Sequence, residues 1–199
     1  MISCPLNIFT MSYRHDSMMV VDTTRIKEKF NWNTIIETGT DKGWSTEILS
    51  NIFDKVYTCE IDEERWQYYD ELLQNPKIKI LKGSSPDCLK QFIEEIGHGE
   101  FFLYLDAHWN TYWPILDELQ VVIDYGYKPV IIIHDFDNGL GFQFDRYRDS
   151  ENQEHLLNFE YVKEKIEQIY GKDGYIFETN KKSVNPGGPI GCAYFYPKQ

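Results

Sequence analysis

Strand-sized runs of β-branched and aromatic residues alternate with segments of helical period along most of the chain, with no internal repeat or low-complexity tract between them. The runs are Thr34 to Glu37, Lys55 to Glu60, Ile78 to Leu81, Phe101 to Asp106, Pro129 to His134, Tyr175 to Glu178 and Cys192 to Tyr196. Between them, a helix capped by Asp22 or Thr23 is predicted to end at Phe30, one runs over Ser45 to Ile52, and one over Glu63 to Leu73 with Asp62 as N-cap. Ser85-Pro86-Asp87 places a cap residue, a proline and an acid in the order of a helix start, and Gly97 ends that helix after Ile96. Pro114 to Asp124 and Phe159 to Tyr170 complete the set, with Gly126 and Gly171 just past their ends. This alternation predicts an α/β fold in which seven mostly parallel strands carry helices on both faces. The last two strands should form an antiparallel pair, because residues 178 to 192 contain Asn185-Pro186-Gly187-Gly188-Pro189 and no helical period.

The chain of 199 residues falls in the range of a single domain, 1–199, with residues 1–30 as an N-terminal segment and helix and 136–155 as a candidate lid or substrate loop. Twenty basic against 32 acidic side chains give a formal charge of −12, and Lys181-Lys182 is the only adjacent basic pair. A nucleic-acid partner held by counterion release is therefore excluded from the expectations. Apolar runs such as Val130 to Ile133 are far too short to span a bilayer, and Met1 to Phe9 is too short and too polar for an export signal, so a cytoplasmic protein is expected. Cys4, Cys59, Cys88 and Cys192 form no C-x-x-C pair, which suits reduced, buried thiols.

In a sheet of this kind the ligand sits outside the carboxyl ends of the strands. After the first strand comes Glu37-Thr38-Gly39-Thr40-Asp41-Lys42-Gly43, an E-x-G-x-x-x-G spacing in which Gly39 permits a tight turn and Gly43 lets a helix start pack close to the strand. The second strand ends at Glu60, about 20 residues further on, where a carboxylate can accept both hydroxyls of a ribose. Ser84 and Ser85 follow the third strand, placed to edge an adenine ring. Asp106 and Asp135 end adjacent strands with Asp137 and Asn138 nearby, a hard oxygen set suited to a divalent cation such as Mg²⁺ or Mn²⁺. His108 and His134 flank the same point and have the unperturbed pKa of a general base, with Asp106 the third possibility. Trp109, Tyr112, Trp113, Phe142 and Phe144 offer an aromatic platform for an acceptor, and Arg146 and Arg148 lie in the loop above it.

From about Thr34 to Tyr196 the sequence resembles the class I S-adenosylmethionine-dependent methyltransferases, whose E-x-G-x-x-x-G turn, ribose-binding acid and adenine region match the residues above. The resemblance implies a Rossmann-like sheet with an antiparallel last strand. It also implies that Glu37, Gly39 and Gly43 line the methionine part of the cofactor, Glu60 the ribose, and Ser84 or Ser85 the adenine, with Asp106 also at the cofactor. Leu105-Asp106-Ala107-His108-Trp109 is similar to a stretch of the catechol-type O-methyltransferases that supplies a magnesium ligand. Their following Asp-Asn pair is broken here, because Phe136 separates Asp135 from Asp137. Macrolide-sugar O-methyltransferases carry acids at the same two strand ends. The implied activity is methyl transfer from S-adenosylmethionine to a hydroxyl of a sugar or glycan end, metal-assisted, in a chain that can form a homodimer. A catechol-like acceptor is the alternative. Beyond that family stand a dinucleotide-dependent oxidoreductase, disfavoured by the missing G-x-G-x-x-G, and a non-catalytic nucleoside-binding module.

Overall fold

The computed structural model describes residues 17–108, 112–149, 151–183, 185 and 187–199; Met1 to Phe9 with Cys4, Trp109 and Pro186 lie outside them. The chain runs α1 (Ser17–Phe30), β1 (Thr34–Thr38), α2 (Trp44–Ile52), β2 (Lys55–Glu60), β3 (Ile78–Lys82), α3 (Ser85–Ile96), β4 (Phe102–Leu105), α4 (Ile115–Asp124) and β5 (Val130–Ile133). It continues with β6 (Arg146–Arg148), β7 (Glu154–Leu156), α5 (Phe159–Tyr170), β8 (Tyr175–Thr179) and β9 (Ala193–Pro197). Seven strands form one sheet in the order β3-β2-β1-β4-β5-β9-β8. β1 to β5 are mutually parallel, and β9 inserts antiparallel between β5 and β8. The seven-stranded Rossmann-like sheet anticipated from the sequence, with its antiparallel last strand, is therefore present.

Alternation along each strand divides the core in two. Ile36, Leu103, Leu105, Ile131 and Ile133 face α3, α4 and α5 through Leu89, Phe92, Leu119, Val122, Val162 and Ile166. Ile35, Phe102, Tyr104, Val130 and Ile132 face α1 and α2 through Met19, Ile26 and Leu49. With both faces covered, the central strands read as unbroken apolar runs, and β4 and β5 are buried at every position.

Two elements depart from the sequence expectation. α1 is already helical at Ser17, upstream of Asp22, because the stripe that docks it continues there: Met19, Thr23 and Ile26 are all fully buried at helical spacing. Asp22 pairs with Arg25 inside the helix instead of capping it. The segment after β2 is not an α-helix but two 3₁₀ turns, Glu63–Tyr68 and Leu72–Gln74. Its apolar residues Trp66, Tyr69 and Leu72 recur every three positions, the period at which a 3₁₀ turn aligns side chains, and they pack with Ile80 as a small satellite core. Asp62 still caps this segment, accepting from the Glu64 N–H at 2.9 Å.

Residues 136–155 hold more structure than a bare lid. β6 and β7 form an antiparallel hairpin, and its Tyr147 and His155 stack at 5.4 Å between Trp113, 5.2 Å from Tyr147, and Tyr161 of α5. A hydrogen bond between His155 Nε2 and Asp149 Oδ2 at 2.9 Å closes it. Cys59, Cys88 and Cys192 are buried.

Candidate active site

The strand order reverses between β1 and β4, and a cleft of about 480 Å³ opens across the carboxyl ends of the strands there. Its floor is the turn after β1, where Gly39, Asp41 and Gly43 all take left-handed φ values of 84°, 44° and 78°. Cys59 O accepts from both Gly39 N and Thr40 N at 3.1 Å, and Tyr69 donates its hydroxyl to Asp41 O at 2.8 Å. A Cβ on Gly39 would lie 2.8 Å from Asp106 O, a backbone atom, so the turn after β1 and the end of β4 touch only because residue 39 is glycine. Gly39→Ala is therefore expected to weaken cofactor affinity and lower the melting temperature together, measurable by calorimetry and thermal unfolding; an unchanged variant would show that the two strand ends are free to separate.

The other cofactor residues divide by position. Glu60 lines the cleft with its carboxylate fixed by two backbone donors, Asp41 N to Oε2 at 2.9 Å and Asp62 N to Oε1 at 2.8 Å. Each oxygen keeps a second acceptor position for a ligand hydroxyl. Ser84 and Ser85 also line it. Ser84, not Ser85, occupies the cap position of α3, and its hydroxyl donates to Asp87 Oδ2 at 2.7 Å. Glu37 and Gly43 lie beneath the cleft and do not line it. Glu37 is fully buried, with the hydroxyls of Thr46 and Thr58 donating to Oε2. Burial pushes it up to about 7, against the hydroxyls of Ser45, Thr46 and Thr58 that favour the charged form. Gly43 closes the turn through its N–H to Thr40 O at 2.7 Å, and a Cβ there would collide with Leu72.

At the far end, Asp106, His134 and Asp135 converge. His134 Nδ1 is 3.1 Å from Asp106 Oδ1 and 3.1 Å from Asp135 Oδ2, and Tyr104 donates its hydroxyl to Asp106 Oδ2 at 3.0 Å. Burial alone would lower the imidazole pKa, but the charge of Asp106 and the hydrogen bonds to both carboxylates outweigh it and hold His134 well above the ordinary histidine value. A ring so held is a poor proton acceptor. His108 is half exposed at the cleft wall, with Nδ1 3.3 Å from Asp145 Oδ2 and 4.0 Å from Asp135 Oδ2. Burial raises the Asp145 carboxyl, and His108 opposes the rise.

Asp137 and Asn138 do not join this cluster. Asp137 Oδ1 accepts from Gly139 N and Asn138 Oδ1 from Leu140 N, each at 3.0 Å, while Asn138 Nδ2 donates to Asn180 Oδ1 at 3.0 Å. They shape the turn leading away from β5. Of the predicted aromatic platform, Tyr112 lines the cleft, whereas Trp113 is buried under the hairpin; Phe142 and Phe144 are not among the lining residues. Arg148 pairs with Glu154 at 3.0 Å and Arg146 lies over the Phe144 ring.

Two residues here have no counterpart in the sequence reading. Asp145 stands in a loop without any pattern to mark it. Glu118 carried a signal: it is an acid on the buried stripe of α4, among Ile115, Leu119 and Val122. It is fully buried, and burial pushes it up to about 7, with the hydroxyls of Ser85 and Thr38 tempering the rise.

No helix among the described residues is long and apolar enough to cross a membrane. No protein-family model and no curated protein matches the chain. Solved structures do. The O-methyltransferase TomG from Streptomyces achromogenes, in complex with S-adenosylmethionine, superposes with a TM-score of 0.64 at 12% identity over 100% of this chain and 92% of that one. An O-methyltransferase from Bacillus cereus in complex with S-adenosylhomocysteine gives 0.60 at 17% identity, over 99% and 83%. A Staphylococcus aureus protein assigned as a caffeoyl-CoA O-methyltransferase gives 0.60 at 15%, over 96% and 88%. Strand order, the reversed last strand and these superpositions together show that the chain has the fold of the class I S-adenosylmethionine-dependent O-methyltransferases.

Proposed function

We propose that this chain transfers the methyl group of S-adenosylmethionine to a hydroxyl of a small polar acceptor, a sugar or glycan end, with a divalent cation assisting. One observation carries the reading. A single cleft at the β1/β4 reversal joins Glu60, held with acceptor positions to spare, to the Asp106–His134–Asp135 cluster and His108 at its other end. The complexes of TomG and of the Bacillus cereus enzyme with adenosyl ligands support assigning the Glu60 end to the cofactor.

In this reading the acceptor hydroxyl gives its proton to His108 Nε2 while its oxygen attacks the methyl carbon. The carbon–sulfur bond breaks and S-adenosylhomocysteine leaves with the electron pair. Asp145, 3.3 Å from Nδ1, orients the ring and stabilises the imidazolium that forms. Carboxylates and imidazole nitrogen fit a divalent cation, which when bound would lower the pKa of a coordinated acceptor hydroxyl. A catechol-like acceptor is the second reading, favoured by the likeness to the Staphylococcus aureus protein. Acidic side chains outnumber lysines and arginines along the cleft, where Lys42 and Arg65 are the only two among the described residues, which supports small uncharged acceptors and disfavours nucleic acid as a partner.

Calorimetric titration with S-adenosylmethionine, S-adenosylhomocysteine and NAD⁺ tests the cofactor. Micromolar binding of the adenosyl ligands alone is expected; binding of NAD⁺ alone would move the chain to the oxidoreductases. Glu60→Ala should weaken S-adenosylmethionine binding by about 1.5–3 kcal/mol, the scale of lost charge-assisted hydrogen bonds. Unchanged affinity would remove Glu60 from the ribose site.

A further inference from the structure

We infer that the cation of this site is held through a nitrogen, by Asp106, His134 and Asp135, and that it is a borderline metal of the Mn²⁺ type in preference to Mg²⁺. The sequence pointed to oxygens alone, and the structure turns two of them, on Asp137 and Asn138, away. In their place it brings the His134 ring. Two donors about 2.1 Å from one ion and at right angles to each other are about 3.0 Å apart. His134 Nδ1 stands 3.1 Å from each of two carboxylate oxygens, and the three ligand atoms lie within 4.8 Å of one another. This is the spacing of adjacent positions around an ion.

Charge and space point the same way. A small cavity of about 20 Å³, enough for one water, abuts the cluster and is lined by Asp106, His108, Glu118, His134 and Asp145. Among the described residues no lysine or arginine lines it, and the fully buried Glu118 carboxylate facing it is met by the hydroxyls of Ser85 and Thr38 and by no cation. The four carboxyl groups of Asp106, Glu118, Asp135 and Asp145 outnumber the two rings of His108 and His134 around this point. A divalent ion at Asp106, His134 and Asp135 would offset that acidic excess, and the cavity beside it has room for a water that would give Glu118 a further donor. Imidazole suits first-row transition ions and carboxylates suit Mg²⁺ and Mn²⁺ alike, so a set of two carboxylates and one imidazole favours Mn²⁺, the transition ion at home with oxygen, over Mg²⁺.

The role of the ion rests on the methyl-transfer reading, but its test does not, since it needs neither cofactor nor acceptor. Chain freed of metal by chelator is titrated with Mn²⁺ and with Mg²⁺, and the Mn²⁺ form is examined by pulsed electron paramagnetic resonance. One Mn²⁺ per chain is expected, bound at least tenfold more tightly than Mg²⁺, with echo modulation from a directly bound nitrogen. That modulation should change on ¹⁵N-histidine labelling, which alters no residue, and should persist in His108→Ala. Asp135→Asn should weaken Mn²⁺ at least tenfold and Asp137→Asn should leave it unchanged. Absent binding, absent nitrogen modulation, modulation lost in His108→Ala, or equal affinity for Mg²⁺ overturns the inference. S-adenosylmethionine affinity measured on the same samples reports separately on the methyl-transfer reading.

Discussion

Removing the His108 imidazole, as in His108→Ala, is expected to lower kcat by about 10²–10⁴-fold, the usual contribution of a positioned general base, while the affinity for S-adenosylmethionine stays within a factor of about two. The separation follows from geometry. His108 stands with Asp135 and Asp145 at the acceptor end, whereas the cofactor contacts assigned to Glu60, Ser84 and the Gly39 turn lie on β1, β2 and β3. His134→Ala should not mimic it: that ring is buried between two carboxylates, and its loss should lower stability as well as turnover. Steady-state kinetics beside calorimetric affinities decide the point. A fully active His108→Ala would pass the proton to Asp106.

The second large effect is on stability. Glu37 and Glu118, both fully buried, are raised from the ordinary 4.5 to about 7. A carboxyl raised on folding binds its proton more tightly in the native than in the unfolded chain. Its contribution is therefore greatest below the unfolded pKa and is lost as pH climbs through the folded one. For a rise of this size the loss is on the order of 3 kcal/mol per group between about pH 5 and pH 8. His134, also raised, acts in the same direction. Asp87, Asp149 and Glu178, held low, matter only on further acidification. Denaturant unfolding should thus show stability falling from pH 5 to pH 8, and Glu118→Gln should remove about half of the slope contributed by the two glutamates. A flat profile in the parent chain would show that both carboxylates reach solvent or a cation.

The contrast between what was legible in the residues and what was not has a physical basis. Central strands buried on both faces are continuous apolar runs, so β1, β4 and β5 stood out, and strand ends then located Glu60, Asp106 and Asp135 without further information. The segment after Asp62 was misread because spacing of three and spacing of 3.6 differ little over so short a stretch. Tyr69, anchored to Asp41 O, decides between them. The start of α1 depended on Met19, whose burial is a tertiary fact. Asp145 reaches the site through backbone pairing, its N–H donating to Asp135 O at 2.8 Å, and nothing local in the sequence encodes such a contact. Asp137 and Asn138 were the reverse case: their types suited a metal, but short polar side chains following a strand also cap the next turn, and here the turn holds them.

The insertion of β9 between β5 and β8 carries a consequence for biosynthesis. Until Ala193–Pro197 is available, Val130–Ile133 is an open sheet edge of four consecutive apolar residues, with no charge or proline to discourage pairing with another chain. β9 follows all the other strands of the sheet in chain order, so the edge stays open until they have been made. A chain lacking β9 would therefore present an adhesive ribbon where the folded one presents a paired strand, and Ala193–Pro197 act as the molecule's own guard against self-association.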